Sequence, residues 1–276
     1  MAAILFGALI IPLLHAQPDH PAFEVASVRQ NKTNSRPGFQ VLPSGRLVMA
    51  NVPLQMIIAL AYGLPIQSNR LSGGPDWIRS DCFDIEATPP PGSIPAGASS
   101  KAREDKIREM LQALLAERFK MSIRRETRDQ PIYAAVNGKG GPKLEKSKLE
   151  EKDCQAGPAT FGDRTTCHSI AGGRGRGMHG EAVDMSDIVV FVANWTDHPV
   201  VDKTGIQGLF RIDTDGWLPM QAGPPPAPDA KGEDGKLLVD QPTIFEIFNR
   251  LGLKLELQRG PVDMFVIDHI ERPVEN

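Results

Sequence analysis

The sequence predicts an α+β fold made by tandem duplication of one β-α-β-β-α-β-β unit, in which helices cover small mixed sheets. Three observations support this prediction. Segments of the first half align with segments of the second half in the same order, apolar residues recur at helical spacing in four segments, and other apolar segments alternate with a period of two, as strands do.

The duplication rests on three pairs of aligned segments. They are GGPDWIRSDCFDIEA (73–87) with VVDKTGIQGLFRIDT (200–214), NVPLQMIIALA (51–61) with AVDMSDIVVFV (182–192), and ERFKMSIRRETRDQPIYAAV (117–136) with NRLGLKLELQRGPVDMFVID (249–268). Each pair places apolar residues on apolar residues, and Phe83, for example, falls on Phe210. Because the matches keep their order and nearly their spacing, we expect the two halves to share one topology.

In the first repeat, side-chain periodicity predicts each element in turn. GRLVMANV reads as a strand, and Pro53 suits the first turn of the helix over 53–62. A short strand before the GGPD turn and the alternating CFDIEA follow, and IREMLQALLAERF supplies the apolar face of a helix over 104–119. FKMSIRRE and QPIYAAV are predicted as two further strands joined by a charged turn.

The sequence of the second repeat predicts the same order of helices and strands. Asp184 is placed to cap a helix over 184–194, and LFRIDT alternates as a strand. A helix over 243–251 precedes the strands LKLEL and DMFVIDHI, which are predicted to be joined by a turn at QRGPV.

The first sixteen residues, MAAILFGALIIPLLHA, carry no charged side chain and are almost wholly apolar. They are shorter than the roughly 20 residues that cross a bilayer, and they end at Ala16 before the polar QPDH. This pattern is typical of a secretory signal peptide over 1–16, with a membrane anchor or a buried helix as alternatives. The predicted localisation is therefore periplasmic or secreted.

Composition places the other boundaries. Repeat 1 is predicted over 17–146, a linker over 147–174, and repeat 2 over 175–276. Two segments rich in Pro, Gly and Ala, 88–100 and 219–236, fall at the same point of each repeat and are predicted to be flexible inserts.

The charge balance argues against two classes of partner. With 31 basic and 34 acidic residues and a net charge of −3, the chain has no global field that attracts nucleic acid or an anionic membrane. After the first sixteen residues, no apolar run approaches 18 residues, so we expect no membrane span in the mature chain. Composition does not determine the oligomeric state.

Export would place the three cysteines in an oxidising compartment. Cys154 and Cys167 are close together in a loop-like region, so we predict that they form a disulfide and that Cys82 is a buried free thiol. The alternative is a metal site formed by Cys154, Cys167, His168 and His179, although that spacing lacks the close ligand pair of structural zinc sites.

Two motifs suggest nucleotide chemistry and fail on context. Asp202 opens DKTG, as in the phosphorylated segment of P-type pumps, but the chain has neither a P-loop nor membrane helices, so Asp202 is predicted to be an acid in a turn. The segment 175–180 matches G-x-G-x-x-G, but the sequence before it is polar rather than a buried strand, so it is predicted to be part of a flexible linker. No cofactor is predicted.

The sequence contains no H-E-x-x-H, G-x-S-x-G or S-x-x-K, the usual contexts of metallopeptidases and serine nucleophiles. An extracytoplasmic hydrolase remains an alternative, with a site assembled across the fold near His168, His179 and Asp202. A third possibility is a sensor domain that binds a small ligand between the repeats.

The sequence contains the segments FEVASVR, ALAYGLP, SGGPDW, FDIEA, MLQALLAERFK, GGPKL, PVVDKTGIQG and VIDHIERP. Through them, nearly all of residues 22–276 resembles a large family of exported bacterial proteins of unknown function. In some relatives a similar domain follows a BlaR-type sensor metallopeptidase. Each repeat also resembles the short N-terminal domain of secretins and TonB-dependent transducers, most clearly over 181–268. That second resemblance implies binding of partner proteins in the periplasm and no catalytic residue.

We therefore expect an extracytoplasmic protein-binding or sensory module rather than an enzyme. A sheet edge left open by each repeat is expected to accept an extended strand of an envelope or extracellular protein. Trp77 and Trp195 are the candidate contact residues, because Trp is enriched in interface hot spots.

Overall fold

The computed structural model describes residues 21–274 except 34, 43, 66–68, 96–97, 99, 155–166, 174, 219, 221–226 and 232–234. The predicted signal peptide 1–16 and much of the insert 219–236 lie outside the described residues. The helices are α1 (Leu54–Ala61), α2 (Trp77–Ser80), α3 (Ser100–Arg118), α4 (Met185–Ala193) and α5 (Ile244–Arg250). None of these helices is long and apolar enough to cross a membrane.

The strands of the described chain form three four-stranded sheets, which confirms the α+β class. The strands are β1 (Val25–Asn31), β2 (Gly38–Val41), β3 (Leu47–Pro53), β4 (Leu71–Gly73), β5 (Cys82–Thr88), β6 (Ser122–Asn137), β7 (Glu145–Lys146), β8 (Ala171–Gly173), β9 (Gly177–Val183), β10 (Val200–Asp202), β11 (Phe210–Asp213) and β12 (Leu253–His269). The first sheet has the order β1-β5-β3-β2, the central sheet β10-β6-β12-β4, and the third sheet β7-β11-β9-β8. Among the strand pairs of the described residues, β10–β6 and β12–β4 are parallel and the others are antiparallel.

The four predicted helices form within a few residues of their expected bounds, and at α4 and α5 a side-chain cap coincides with the start of the apolar spacing. At α4, the Asp184 carboxylate accepts from the Asp187 N–H while the Asp187 carboxylate accepts from the Asp184 N–H. Thr243 and Glu246 form the same reciprocal cap on α5. Each cap satisfies two helix N-terminal donors that would otherwise lack a partner.

Two large hydrophobic cores lie at the two ends of the central sheet, and each contains side chains from both halves of the chain. The first core is made mainly by the first half, but Ile267 and Ile270 from the end of the chain are buried in it. The second core is made mainly by the second half, but Tyr133 and Ala135 of β6 are buried in it. Neither core is therefore complete without a strand of the other half.

The first and third sheets share a register at the aligned positions. In the first sheet, Phe83 pairs with Val52 and Ile85 pairs with Met49. In the third sheet, the aligned Phe210 pairs with Val183 and Ile212 pairs with Gly180. Each sheet also shifts register between its two pairs. A duplication of one unit would produce such a shared register. The common origin of the two halves itself stays a prediction.

The turn predicted inside each pair of terminal strands is wrong. β6 runs unbroken from Ser122 to Asn137, β12 runs unbroken from Leu253 to His269, and the two pair antiparallel along almost their whole length. Each half therefore ends in one long strand: from β3 the first half runs β3-α1-β4-α2-β5-α3-β6, and from β9 the second half runs β9-α4-β10-β11-α5-β12.

Each long strand contains a proline, Pro131 in β6 and Pro261 in β12, and both are tolerated because of the side of the strand that they face. Tyr133 and Phe265 donate their N–H groups away from the β6–β12 ladder, to carbonyls just before β10 and β4 (2.8 and 2.7 Å). Backbone groups alternate sides along a strand, so Pro131 and Pro261 also face outward. The N–H that proline lacks would have lain on the outer edge, and no ladder bond is lost.

Two further expectations need correction. The predicted linker 147–174 is not merely a connection, since β8 lies within it and pairs with β9 in the third sheet, and the G-x-G-x-x-G segment runs from their turn into β9. The insert 88–100 contributes to packing, because Pro89 is buried and Ile94 packs against the first core.

Candidate protein-binding edge

The outer edges of the two long strands are only partly covered. β10 pairs with β6 over Tyr133–Ala135, and β4 pairs with β12 over Phe265–Ile267. The first half of β12, from Leu253 to Arg259, therefore has no neighbouring strand on its outer side within the described residues. We call Leu255–Arg259 on this side the open edge.

The register shows which backbone groups face the open edge. Phe265 donates outward to the Arg70 carbonyl, and the Arg70 Nε donates to the carbonyl of Asp263 (2.9 Å) two residues earlier. The pairing with β6 continues without a shift from Leu253 to Ile267, so the alternation is preserved.

By this alternation, the N–H and C=O groups of Leu255, Leu257 and Arg259 point outward. We find no hydrogen bond to these six groups among the residues that the structure describes. The open edge is thus a short row of unpaired donors and acceptors.

The side chains along the open edge lead from the second core into solvent. Leu253 and Leu255 belong to that core, whereas Leu257, on the same face of the strand, is 64% exposed. Its cross-strand neighbour is the buried Tyr133. An incoming strand would meet both unpaired backbone groups and an exposed leucine.

The corresponding half of β6 is charged at the centre of its edge, where the open edge has Leu257, although the open edge also contains the charged residues Glu256 and Arg259. Arg125 and Thr127 both donate hydrogen bonds to the Asp263 carboxylate, that of Thr127 at 2.9 Å. These hydrogen bonds lower the pKa of Asp263, and the one from Arg125 has the larger effect. Glu126 accepts from Arg128 and Arg124, which lower its pKa in the same way. Exposed charges of this kind discourage strand addition.

The two tryptophans named from the sequence are half-buried and lie outside β12 and its sheet. Trp77 begins α2 and packs on the first core, with the Arg272 guanidinium 4.7 Å from its ring centroid. Trp195 follows α4 and packs on the second core, and its indole Nε1 is buried without a hydrogen-bond partner among the described residues. The sequence signal for the open edge was the alternating LKLEL, which sequence reasoning assigned to an ordinary strand.

The predicted disulfide is confirmed. Cys154 and Cys167 are bonded (S–S 2.08 Å, Cα–Cα 5.4 Å), and both are buried. Cys82 is free, as expected, but it is partly exposed rather than buried. Burial and the nearby Asp81 carboxylate raise the pKa of the Cys82 thiol.

His168, which follows the disulfide, is held between two carboxylates. Its Nδ1 lies 2.8 Å from Asp187 Oδ2, and its Nε2 lies 3.2 Å from the Glu151 carboxylate. The hydrogen bond to Asp187 is the main cause that raises the pKa of His168 to about 9, and Glu151 adds to it against the effect of burial.

The residues of the hydrolase alternative bind separate partners. His179 contacts Asp213 (2.6 Å) and the Arg176 carbonyl (2.6 Å), whereas the partners of His168 are Asp187 and Glu151. Asp202 ends β10 and accepts from the backbone N–H (2.8 Å) and hydroxyl (2.7 Å) of Thr204. Asp202 is therefore an acid in a turn, as predicted.

The fold and the open edge together define a mixed α+β protein with two cores joined by one long-stranded sheet. A sequence model of the family described as "Protein of unknown function (DUF3738)" matches residues 55–270, so the chain belongs to this family. No curated protein and no solved structure matched the chain.

Proposed function

We propose that the chain is a non-catalytic, extracytoplasmic module that binds a partner protein by pairing an extended segment of it with the open edge of β12. The observation that carries this proposal is the row of unpaired backbone groups at Leu255, Leu257 and Arg259. Backbone pairing gives affinity for any extended segment, and side-chain contacts select among segments.

The exposed Leu257 is the feature that supports selectivity. It continues the row of Leu253 and Leu255 beyond the second core, so an apolar side chain of the added strand would extend that core over it. Burial of apolar surface of this kind is the main favourable contribution in protein association.

Three features support an extracytoplasmic location. The chain has a buried disulfide, which persists in oxidising compartments, and an uncharged apolar start that resembles a secretory signal. The resemblance to the short N-terminal domains of secretins and TonB-dependent transducers, which bind partner proteins in the periplasm, supports both the location and the role.

Site-specific photocrosslinking in the cells that produce the protein tests the proposal. A photoreactive amino acid at position 257 is expected to form an adduct with one envelope protein. The same amino acid at position 125, the aligned position on the charged edge of β6, is the matched control and is expected to form none. Equal adducts from both positions, or none from either, would contradict the proposal.

A charge substitution supplies a second comparison. Leu257→Lys is expected to abolish partner capture by the full chain, because it places a charge where an apolar contact is needed. Val239→Lys is the control, since Val239 is also an exposed apolar residue (50% exposed) but lies in a short turn away from β12 in the sequence. If partner capture is unchanged in Leu257→Lys, the partner binds at a surface other than the open edge.

A further inference from the structure

Metal-ligand atoms gather beside the disulfide. One atom each of Glu151, Cys154 and His168 lies within 4.8 Å of the other two, and Cys167 is bonded to Cys154. His168 Nε2 lies 3.2 Å from the Glu151 carboxylate. In a tetrahedral zinc site with bonds of about 2.0–2.2 Å to nitrogen and oxygen, two such ligand atoms lie about 3.4 Å apart. The imidazole and the carboxylate therefore already have the spacing of two ligands on one ion.

The imidazole is also oriented as in metal sites. Asp187 Oδ2 forms a hydrogen bond with His168 Nδ1 and also accepts one from the backbone N–H of Asp184 (2.9 Å). The helix cap therefore fixes the position of this carboxylate. A carboxylate on the far nitrogen is the arrangement that orients metal-binding histidines, and here it leaves Nε2 directed at the Glu151 carboxylate. The His168 side chain is 8% exposed, and Cys154 and Cys167 are 5% and 6% exposed, so these three residues are sheltered from solvent, whereas the Glu151 side chain is 61% exposed.

We propose that reduction of the Cys154–Cys167 disulfide creates a tetrahedral Zn²⁺ site with Cys154, Cys167, His168 and Glu151 as ligands. A dithiol donates two electrons and two protons to the disulfide and becomes a disulfide itself, which leaves two thiols. Zn²⁺ then displaces the two thiol protons and the proton that His168 Nε2 shares with Glu151. Disulfide and metal are alternative states, because the thiolate is the form that ligates zinc.

The backbone accommodates both states. The Cα atoms of the two cysteines are 5.4 Å apart. Zinc–sulfur bonds of about 2.3 Å require the two sulfur atoms to separate to about 3.8 Å, which rotation of the side chains provides. The predicted alternative with His179 as fourth ligand is replaced by Glu151, since the described contacts of His179 are with Asp213 and Arg176.

Cobalt spectroscopy on the full chain tests the site. The chain carries Cys82→Ser, which removes the other thiol, and is reduced with a phosphine under anaerobic conditions. Co²⁺ is expected to give the near-ultraviolet sulfur-to-cobalt band and the intense visible bands of tetrahedral coordination, and one equivalent of Zn²⁺ is expected to remove them. The oxidised chain is expected to give neither. Absence of these bands in the reduced chain, or equal bands in the oxidised chain, would overturn the proposal.

Two variants assign the ligands. His168→Gln is expected to weaken Co²⁺ binding by at least tenfold, whereas the matched His179→Gln leaves it unchanged. Glu151→Gln, on an exposed side chain whose loss does not threaten folding, is expected to weaken binding while the sulfur-to-cobalt band remains. Circular dichroism verifies that each variant is folded. Unchanged affinity in both His168→Gln and Glu151→Gln would refute the proposed ligand set.

Discussion

The outer edges of β6 and β12 have the same backbone arrangement and different side chains. Each long strand pairs with the other along one side, and a three-residue parallel strand covers the second half of its outer side. The uncovered half of β6 carries Arg125 and Thr127, both bound to Asp263, whereas that of β12 carries Leu255 and Leu257. Within the part of the chain that the structure describes, strand pairing leaves both edges open, and the side chains determine which one is suited to bind a strand.

The largest expected difference lies within β12, between its covered and its open half. Ile267 is 4% exposed in the first core, next to β4, so Ile267→Ala is expected to lower the free energy of unfolding by about 2–5 kcal/mol. Leu257→Ala, on the same face of the strand, is expected to cost less than about 1 kcal/mol because Leu257 is 64% exposed. Urea unfolding with an unchanged m-value measures both. Similar losses for the two variants would mean that Leu257 is covered in solution.

A smaller effect is expected from the charged edge at low pH. The hydrogen bond from Arg125 lowers the folded pKa of Asp263 below that of an unfolded aspartate, about 3.9. Asp263 therefore stabilises the fold above that unfolded value, and the contribution is lost as the pH falls through the lower folded pKa. In acid titrations of stability, Asp263→Asn is expected to lose less stability than the unsubstituted chain.

Asp129→Asn is the control for that titration. Asp129 pairs with Arg259 across the same ladder, but its side chain is 62% exposed against 28% for Asp263, so its ion pair is expected to contribute less. If Asp263→Asn and the unsubstituted chain lose stability equally on acidification, the Arg125–Asp263 pair does not stabilise the fold.

Much of the fold could be predicted from local sequence. Helix α4 could be placed because Asp184 supplies a cap before an apolar face, and the disulfide could be predicted because two loop cysteines are close together. The continuity of β6 and β12 could not be predicted, since the effect of Pro131 or Pro261 depends on the side of the strand that each faces. That side is fixed only by pairing with a distant segment.

The open edge could not be predicted from the sequence for a related reason. Leu257 alternates with its neighbours in the same way as the buried Leu253 and Leu255, and its exposure depends on where the second core ends. Trp77 and Trp195 were chosen as contacts on residue type alone, and although both rings are half-buried against the cores, their contact with a partner stays a prediction. Periodicity shows which face a side chain takes, and tertiary packing determines how far along the strand that face is buried.

Hydrogen exchange at single amides of β12 tests the central claim most directly. In the free full chain, the amides of Leu255, Leu257 and Arg259 are expected to exchange fast, while those of Lys254, Glu256 and Gln258, which face β6, are protected. Addition of the crosslinked partner's extended segment as a peptide is expected to protect the first three and leave the others unchanged. Protection of the Leu255, Leu257 and Arg259 amides in the free monomeric chain would contradict the account, because the edge would already be occupied.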